Sequence, residues 1–135
     1  MIVVDSSALI AIFFDEPERQ AFETIITGGE PCLLSAVNAH ETASVLRARH
    51  GPAAVERFWH FLVVCEIEIV PFDEAQVRAA AVAFGQYGKG IHPGARLYLA
   101  DCAAYALAKL RNAPLLFKGG DFTHTDLRPA LPLPP

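Results

Sequence analysis

Four very short strand-like runs, alternating with longer stretches of helical periodicity, restrict this 135-residue chain more than any other feature. Three are apolar, Ile2-Val3-Val4, Cys32-Leu33-Leu34 and Leu115-Leu116-Phe117, and the fourth, residues 67–70, alternates apolar and acidic. Each is long enough for a strand and too short for a helix. Between them the sequence predicts helices over about 8–14, from Pro17 to the Gly28-Gly29 stop, over 36–50 behind a Ser35 cap, and over about 53–64. Two more are expected, one from an Asp73/Gln76 capping box to about residue 87 and one over about 99–111, halted by Asn112 and Pro114. Strands of three or four residues alternating with helices predict an α/β layer around a parallel sheet. The expected organisation is one domain over 1–135, with a proline-rich tail at about 129–135 that runs extended.

Composition narrows the class. A hydrophobic fraction of 53% supplies a filled core and argues against disorder. No apolar run approaches the ~20 residues that span a bilayer, and the N-terminus reads straight into a strand, so no membrane partner is expected. Cys32, Cys65 and Cys102 are odd in number, far apart and set among apolar neighbours. They read as buried reduced thiols in a cytoplasmic protein.

Four acids occupy places where a structural residue is ordinarily apolar or neutral: Asp5, Glu41, Asp101 and Asp121. Asp5 ends the first apolar run, and Asp121 follows the last one through Lys118-Gly119-Gly120. Glu41 shares a helix face with Val37 and Val45; Asp101 shares one with Leu97, Ala104, Tyr105 and Ala108. Singly, Asp5 is also explained as an N-cap and Glu41 as a core-edge residue bonded to an amide. Together they point to a shared site for Mg²⁺ or Mn²⁺, because clustered carboxylates repel and hard oxygen donors suit these ions. Of the 15 acids against 11 Lys plus Arg, these four account for the whole imbalance of −4. Overall charge therefore does not announce a nucleic-acid partner, and a bound cation would make the acidic spot attractive to one.

These segments resemble a known family. Met1 to Leu9, Glu41-Thr42, Gly88-Lys89-Gly90-Ile91-His92-Pro93, the stretch from Asp101 to Ala108, and Leu115 to Phe122 are similar, in order and roughly in spacing, to the VapC toxins. These are PIN-domain ribonucleases of bacterial type II toxin–antitoxin pairs. The resemblance covers about residues 1–127. It implies a PIN-like three-layer α/β/α fold with a short-stranded, mainly parallel sheet. It also implies that Asp5, Glu41, Asp101 and Asp121 hold Mg²⁺ or Mn²⁺, with Ser6 or Ser7 supporting Asp5. Two positions depart from the family pattern. Ala100 stands where glycine is usual, and Gly120 where Asp or Asn is common, so one polar group fewer lies beside the site.

The activity implied is that of a metal-dependent endoribonuclease, hydrolysing RNA phosphodiesters by metal-activated water. The partners implied are a VapB-like antitoxin on the early helices and the aromatic stretch around Trp59, a second copy of the toxin, and operator DNA reached only through the antitoxin. With water activated by the metal no histidine is needed as a base, and the five histidines show no ligand spacing of the i, i+4 kind. Lys89, Lys118 and Arg47 are the candidate phosphate contacts, against the plainer reading of solvated charges. Two other functions compete: a phosphotransferase with Asp5 as nucleophile, weakened by Ser7 where such enzymes commonly carry a second Asp, and a non-catalytic PIN-like binding module with a structural cation.

Overall fold

A computed structural model describes residues 1–133. Its elements run β1 (Ile2–Val4), α1 (Ser6–Phe13), α2 (Arg19–Ile26), β2 (Cys32–Ser35), α3 (Ala36–His50) and α4 (Pro52–Val64). There follow β3 (Ile67–Val70), α5 (Glu74–Tyr87), α6 (Leu99–Arg111), β4 (Leu115–Leu116) and a 3₁₀ turn at Asp121–His124. The strands form one sheet in the order β3-β2-β1-β4, every pair parallel.

Alternation along β1 and β2 builds a core on each face of the sheet. Ile2, Val4, Cys32 and Leu34 pack with α1, α2, α3 and α4 through Leu9, Phe22, Leu46 and Phe58. Val3 and Leu33 face the other way, onto Ala80 and Ala83 of α5 and the almost wholly buried Cys102–Ala108 stretch of α6. The result is the expected three-layer α/β/α arrangement.

The boundaries differ from expectation in four places, each for a local reason. α1 begins at Ser6, because Asp5 caps it by accepting the Ser7 N–H. α2 begins at Arg19 and leaves Pro17 in a turn, since Asp15 adopts φ +53° and the chain must reverse first. Only half of the Asp73/Gln76 capping box forms. The Gln76 N–H donates to Asp73 Oδ1 at 3.0 Å, but the Gln76 side chain turns away to donate to Pro71 O at 2.8 Å. β4 is two residues long; Phe117 is buried below it without pairing.

The proline-rich tail covers the free edge of β4. Leu115 N–H donates to Arg128 O at 2.9 Å, and Ala130 N–H donates to Leu115 O at 2.8 Å. An exposed edge strand invites pairing with other chains, and this return closes it. The tail expected to run extended does so at the Pro129 bridge to Leu115 and then bends at residues 130 and 131; residues 134 and 135 lie outside the described part. Among the described residues the three cysteines are free thiols, and no helix is long and apolar enough to cross a membrane.

Candidate metal centre

The sheet fixes where the site lies. β1 runs to β2 on one side and is met by β4 on the other, so strand order reverses between β1 and β4. Ligands of open α/β sheets bind beyond the carboxyl ends of the strands at such a reversal. Asp5 directly follows β1, and the chain leaving β4 turns through Gly119, at φ +101°, to reach Asp121 in the first turn of the 3₁₀ segment. A side chain at Gly119 would be strained in that conformation.

Asp5 is 2% exposed, yet it is a carboxylate. Its Oδ2 accepts the Ser7 N–H at 3.0 Å and the Ser7 hydroxyl at 2.6 Å. Its Oδ1 is buried with no hydrogen-bond partner. Its carboxyl is pushed up to about 7, first by burial and then by the charges of Asp101 and Glu41, against the two bonds from Ser7 that pull it down. Asp101, at the third position of α6, accepts the Tyr98 N–H on Oδ2 at 2.8 Å. It too is raised, first by burial and then by Glu41 and Asp121, with the Tyr98 bond opposing. The four acids therefore lie close enough for their charges to act on one another: Asp5 feels Glu41 and Asp101, and Asp101 feels Glu41 and Asp121. Glu41 is half-buried on α3 and Asp121 is exposed.

Among the described residues no three His, Cys, Asp or Glu side chains are gathered tightly enough to hold an ion as they stand. The donors still fit Mg²⁺ or Mn²⁺. They are oxygen groups only, and the stranded Asp5 Oδ1 is a buried acceptor that lacks any protein donor.

The two serines beside Asp5 differ in role. Ser7 touches the carboxylate, and its Oγ also accepts the Lys118 N–H at 2.9 Å. Ser6 makes no bond to Asp5; its hydroxyl pairs instead with Asn38. Asn38 itself, wholly buried on α3, escaped the sequence reading, because one asparagine in a helix carries no spacing signal.

The three candidate phosphate contacts also separate. The Lys118 ammonium sits between Glu16 Oε2 at 2.9 Å and Glu18 Oε2 at 3.0 Å. It is paired there with the turn between α1 and α2. Lys89 is exposed, with its ammonium on the Tyr98 hydroxyl and 4.8 Å from the centre of the Tyr98 ring. Tyr98 links Lys89 to Asp101, with its hydroxyl on the first and its N–H on the second. Arg47 is exposed in the last turn of α3 and lines an open groove of about 620 Å³ with Ala43, Pro52, Val55 and Glu56. Among the histidines, His92 Nδ1 accepts the Gly94 and Ala95 N–H groups at 3.0 and 2.9 Å, and His50 packs edge-on against Phe14. Both have local structural work.

A partly uncovered apolar face lies on α4. Trp59, Val63 and Val64 are 39%, 75% and 64% exposed. Beside them Phe13, Phe61 and His60 line a shallow groove of about 480 Å³. Phe58, by contrast, is wholly buried, packed edge-on against Phe13.

Comparison with known proteins agrees with this geometry. The sequence profile described as PIN domain matches residues 2–127. Ribonuclease VapC30 of Mycobacterium tuberculosis is 40% identical over 126 residues, covering 93% of this chain and 95% of that protein. Ribonuclease VapC42 of the same organism is 37% identical over 129 residues, covering 96% and 98%. Among solved structures, VapC20 of M. tuberculosis, described as a sarcin–ricin loop cleaving toxin, superposes with a TM-score of 0.76 at 15% identity, covering 94% of this chain and 96% of that one. VapBC2 of Rickettsia felis, solved on a DNA fragment from its promoter, gives 0.70 at 15% identity and 96% of each chain.

Proposed function

The chain belongs to the PIN-domain family, among the VapC ribonucleases, and from that premise we propose that it is a divalent-cation-dependent endoribonuclease, the toxin of a type II toxin–antitoxin pair. The observation that carries the reading is the Asp5 carboxyl at the strand-order reversal, buried, pushed up to about 7 and coupled to Glu41 and Asp101, with one oxygen left unpartnered. A structural residue is poorly served by such an environment, because an unpaired buried charge costs several kcal/mol. Asp5, Glu41, Asp101 and Asp121 would hold Mg²⁺ or Mn²⁺, which when bound supplies Lewis acidity that acidifies water and offsets charge on phosphoryl oxygens.

The chain's own residues prepare that site. Ser7 holds Asp5 Oδ2, and so turns Oδ1 into the free donor. The Tyr98 N–H does the same service for Asp101, leaving its second oxygen to the site. Lys89, linked to Asp101 through Tyr98, offers a positive contact for a phosphate flanking the cleaved bond. No histidine is assigned a proton-transfer role.

The exposed α4 face, with Trp59, Val63 and Val64 beside the Phe13–Phe61 groove, is the proposed seat of a VapB-like antitoxin. An antitoxin partner is in keeping with the fold shared with VapBC2 of Rickettsia felis; the choice of this face rests on its exposed apolar side chains. Pairing with a second copy, and contact with promoter DNA through the antitoxin alone, complete the reading; free thiols suit action in the cytoplasm.

The test is cleavage of cellular RNA by the purified chain with Mg²⁺ or Mn²⁺, with EDTA, and by Asp5→Asn. Cation-dependent cleavage, lost in EDTA and in the variant, is expected. No cleavage with either metal would leave a non-catalytic binding module as the better account.

A further inference from the structure

Asn38 carries the second buried acceptor of the site region that lacks a partner. It lies on α3 one turn before Glu41 and is completely buried. Its Nδ2 donates to Ser6 Oγ at 3.0 Å and to Ala100 O at 3.1 Å. A backbone carbonyl can only accept, so the NH₂ group must face Ala100, and the orientation of the amide is fixed. Ser6 immediately follows Asp5, and Ala100 immediately precedes Asp101. Ser6 Oγ closes the contact by donating to Asn38 O at 3.4 Å, and Thr42 Oγ1 donates to the same carbonyl at 2.8 Å. The two protons of one amide thus tie together the starts of α1 and α6 and the helix bearing Glu41.

Stability alone does not account for this residue. With both donors used, Asn38 Oδ1 remains buried without a partner. A stranded acceptor carries a desolvation penalty that an apolar side chain of similar volume would avoid. The tie between three ligand-bearing elements is what asparagine offers and leucine does not.

We propose that Asn38 is a positioning residue that sets the spacing of Asp5, Glu41 and Asp101 for their shared divalent cation, an assignment that rests on the cation-dependent reading above. Its amide holds the first turn of α6 against α1 while α3 carries Glu41 between them. Groups that orient metal ligands without touching the metal typically alter its affinity by roughly 10- to 100-fold when removed.

The experiment is calorimetric titration of Mn²⁺ into the wild-type chain, Asn38→Leu, Asn38→Ala and Gln76→Leu near neutral pH, with circular dichroism recording that each is folded. Gln76 is the control. It is a buried amide on α5 with an equally stranded Oε1, bonded to Pro71 and to none of the ligand elements. Both Asn38 variants are expected to bind Mn²⁺ roughly 10- to 100-fold more weakly while folded, and Gln76→Leu to bind like the wild type even if its melting temperature moves. Wild-type affinity in folded Asn38→Leu and Asn38→Ala overturns the positioning role and leaves the cation reading intact. Absence of Mn²⁺ binding by the wild type overturns both. Should the Asn38 variants fail to fold, Ser6→Ala removes one partner of the amide by deleting a single oxygen. A several-fold weaker Mn²⁺ affinity in that variant supports the role, and unchanged affinity overturns it.

Discussion

The Lys118 N–H donates to Ser7 Oγ at 2.9 Å across 111 positions of sequence. The same hydroxyl donates to Asp5 Oδ2 at 2.6 Å. Ser7 is therefore the joint between the end of β1 and the loop that leads to Asp121. Its two bonds to Asp5 are also the strongest influences favouring the ionised carboxylate against burial. Ser7→Ala should raise the Asp5 pKa further, strand the Lys118 amide, and lower cleavage and Mn²⁺ affinity by roughly 10- to 100-fold. Side-by-side titration and cleavage assays of Ser7→Ala and wild type check this. Equal behaviour of the two would remove Ser7 from the site.

The ion triad of Lys118 with Glu16 and Glu18 leads to a second expectation. Lysines that contact phosphate add to the salt dependence of nucleic-acid binding, each lowering the slope by about one when removed. In a cleavage-dead Asp5→Asn background, Lys89→Met should reduce the slope of RNA affinity against salt by about that amount. Lys118→Met should leave it unchanged, because its ammonium already faces two carboxylates. Fluorescence anisotropy with a labelled RNA measures both. A loss of slope for Lys118→Met equal to that of Lys89→Met would show that Lys118 contacts the RNA despite its pairing with Glu16 and Glu18.

The contrast between Lys118 and Asp5 shows what the sequence could and could not disclose. An acid at the end of an apolar run, or on an apolar helix face, is conspicuous locally, which is why Asp5, Glu41 and Asp101 were legible. So were β1, α3 and α6, whose apolar patterns and caps agree with the fold. The ion pairs of Lys118 were not legible, because Glu16 and Glu18 lie 102 and 100 positions away on another turn, where no local pattern announces them. Asn38 was invisible for the same reason: its amide meets Ala100 only after the sheet has brought α3 and α6 together, 62 positions apart. The Pro17 start of α2 failed differently. Proline favours a first helical turn, but the left-handed Asp15 requires a reversal before that helix can begin.

The chemistry of the ends is a further check. In the proposed mechanism the attacking group is water activated at the acidic site, and the ribose 2′-hydroxyl takes no part. The products should therefore carry 5′-phosphate and 3′-hydroxyl termini. Mass spectrometry of cleaved oligonucleotides distinguishes these from 2′,3′-cyclic phosphates, whose appearance would sink the mechanism. His40→Ala and His92→Ala should retain most of the activity, whereas Asp5→Asn and Glu41→Gln should each lose several orders of magnitude.

The last expectation joins protons to the cation. Asp5 is raised from 3.8 in the unfolded chain to about 7 in the folded one, chiefly by burial. Between these values the folded state holds a proton that the unfolded state has released, so stability must fall as pH rises from about 4 to about 7. Asp101, raised for the same first cause, adds in the same direction. For Asp5 the loss is on the order of 4 kcal/mol when no cation is present. Urea unfolding in EDTA at the two ends of that range should reveal it, and Asp5→Asn, which carries no titrating proton there, should flatten most of the dependence. Millimolar Mn²⁺ should restore stability at neutral pH and do little at acid pH, because the ion and the proton compete for the same oxygens. A wild-type stability that is level across the range in EDTA would mean that Asp5 is solvated and free of its neighbours' charges, and the acidic site would then lack the strain on which its affinity for a cation depends.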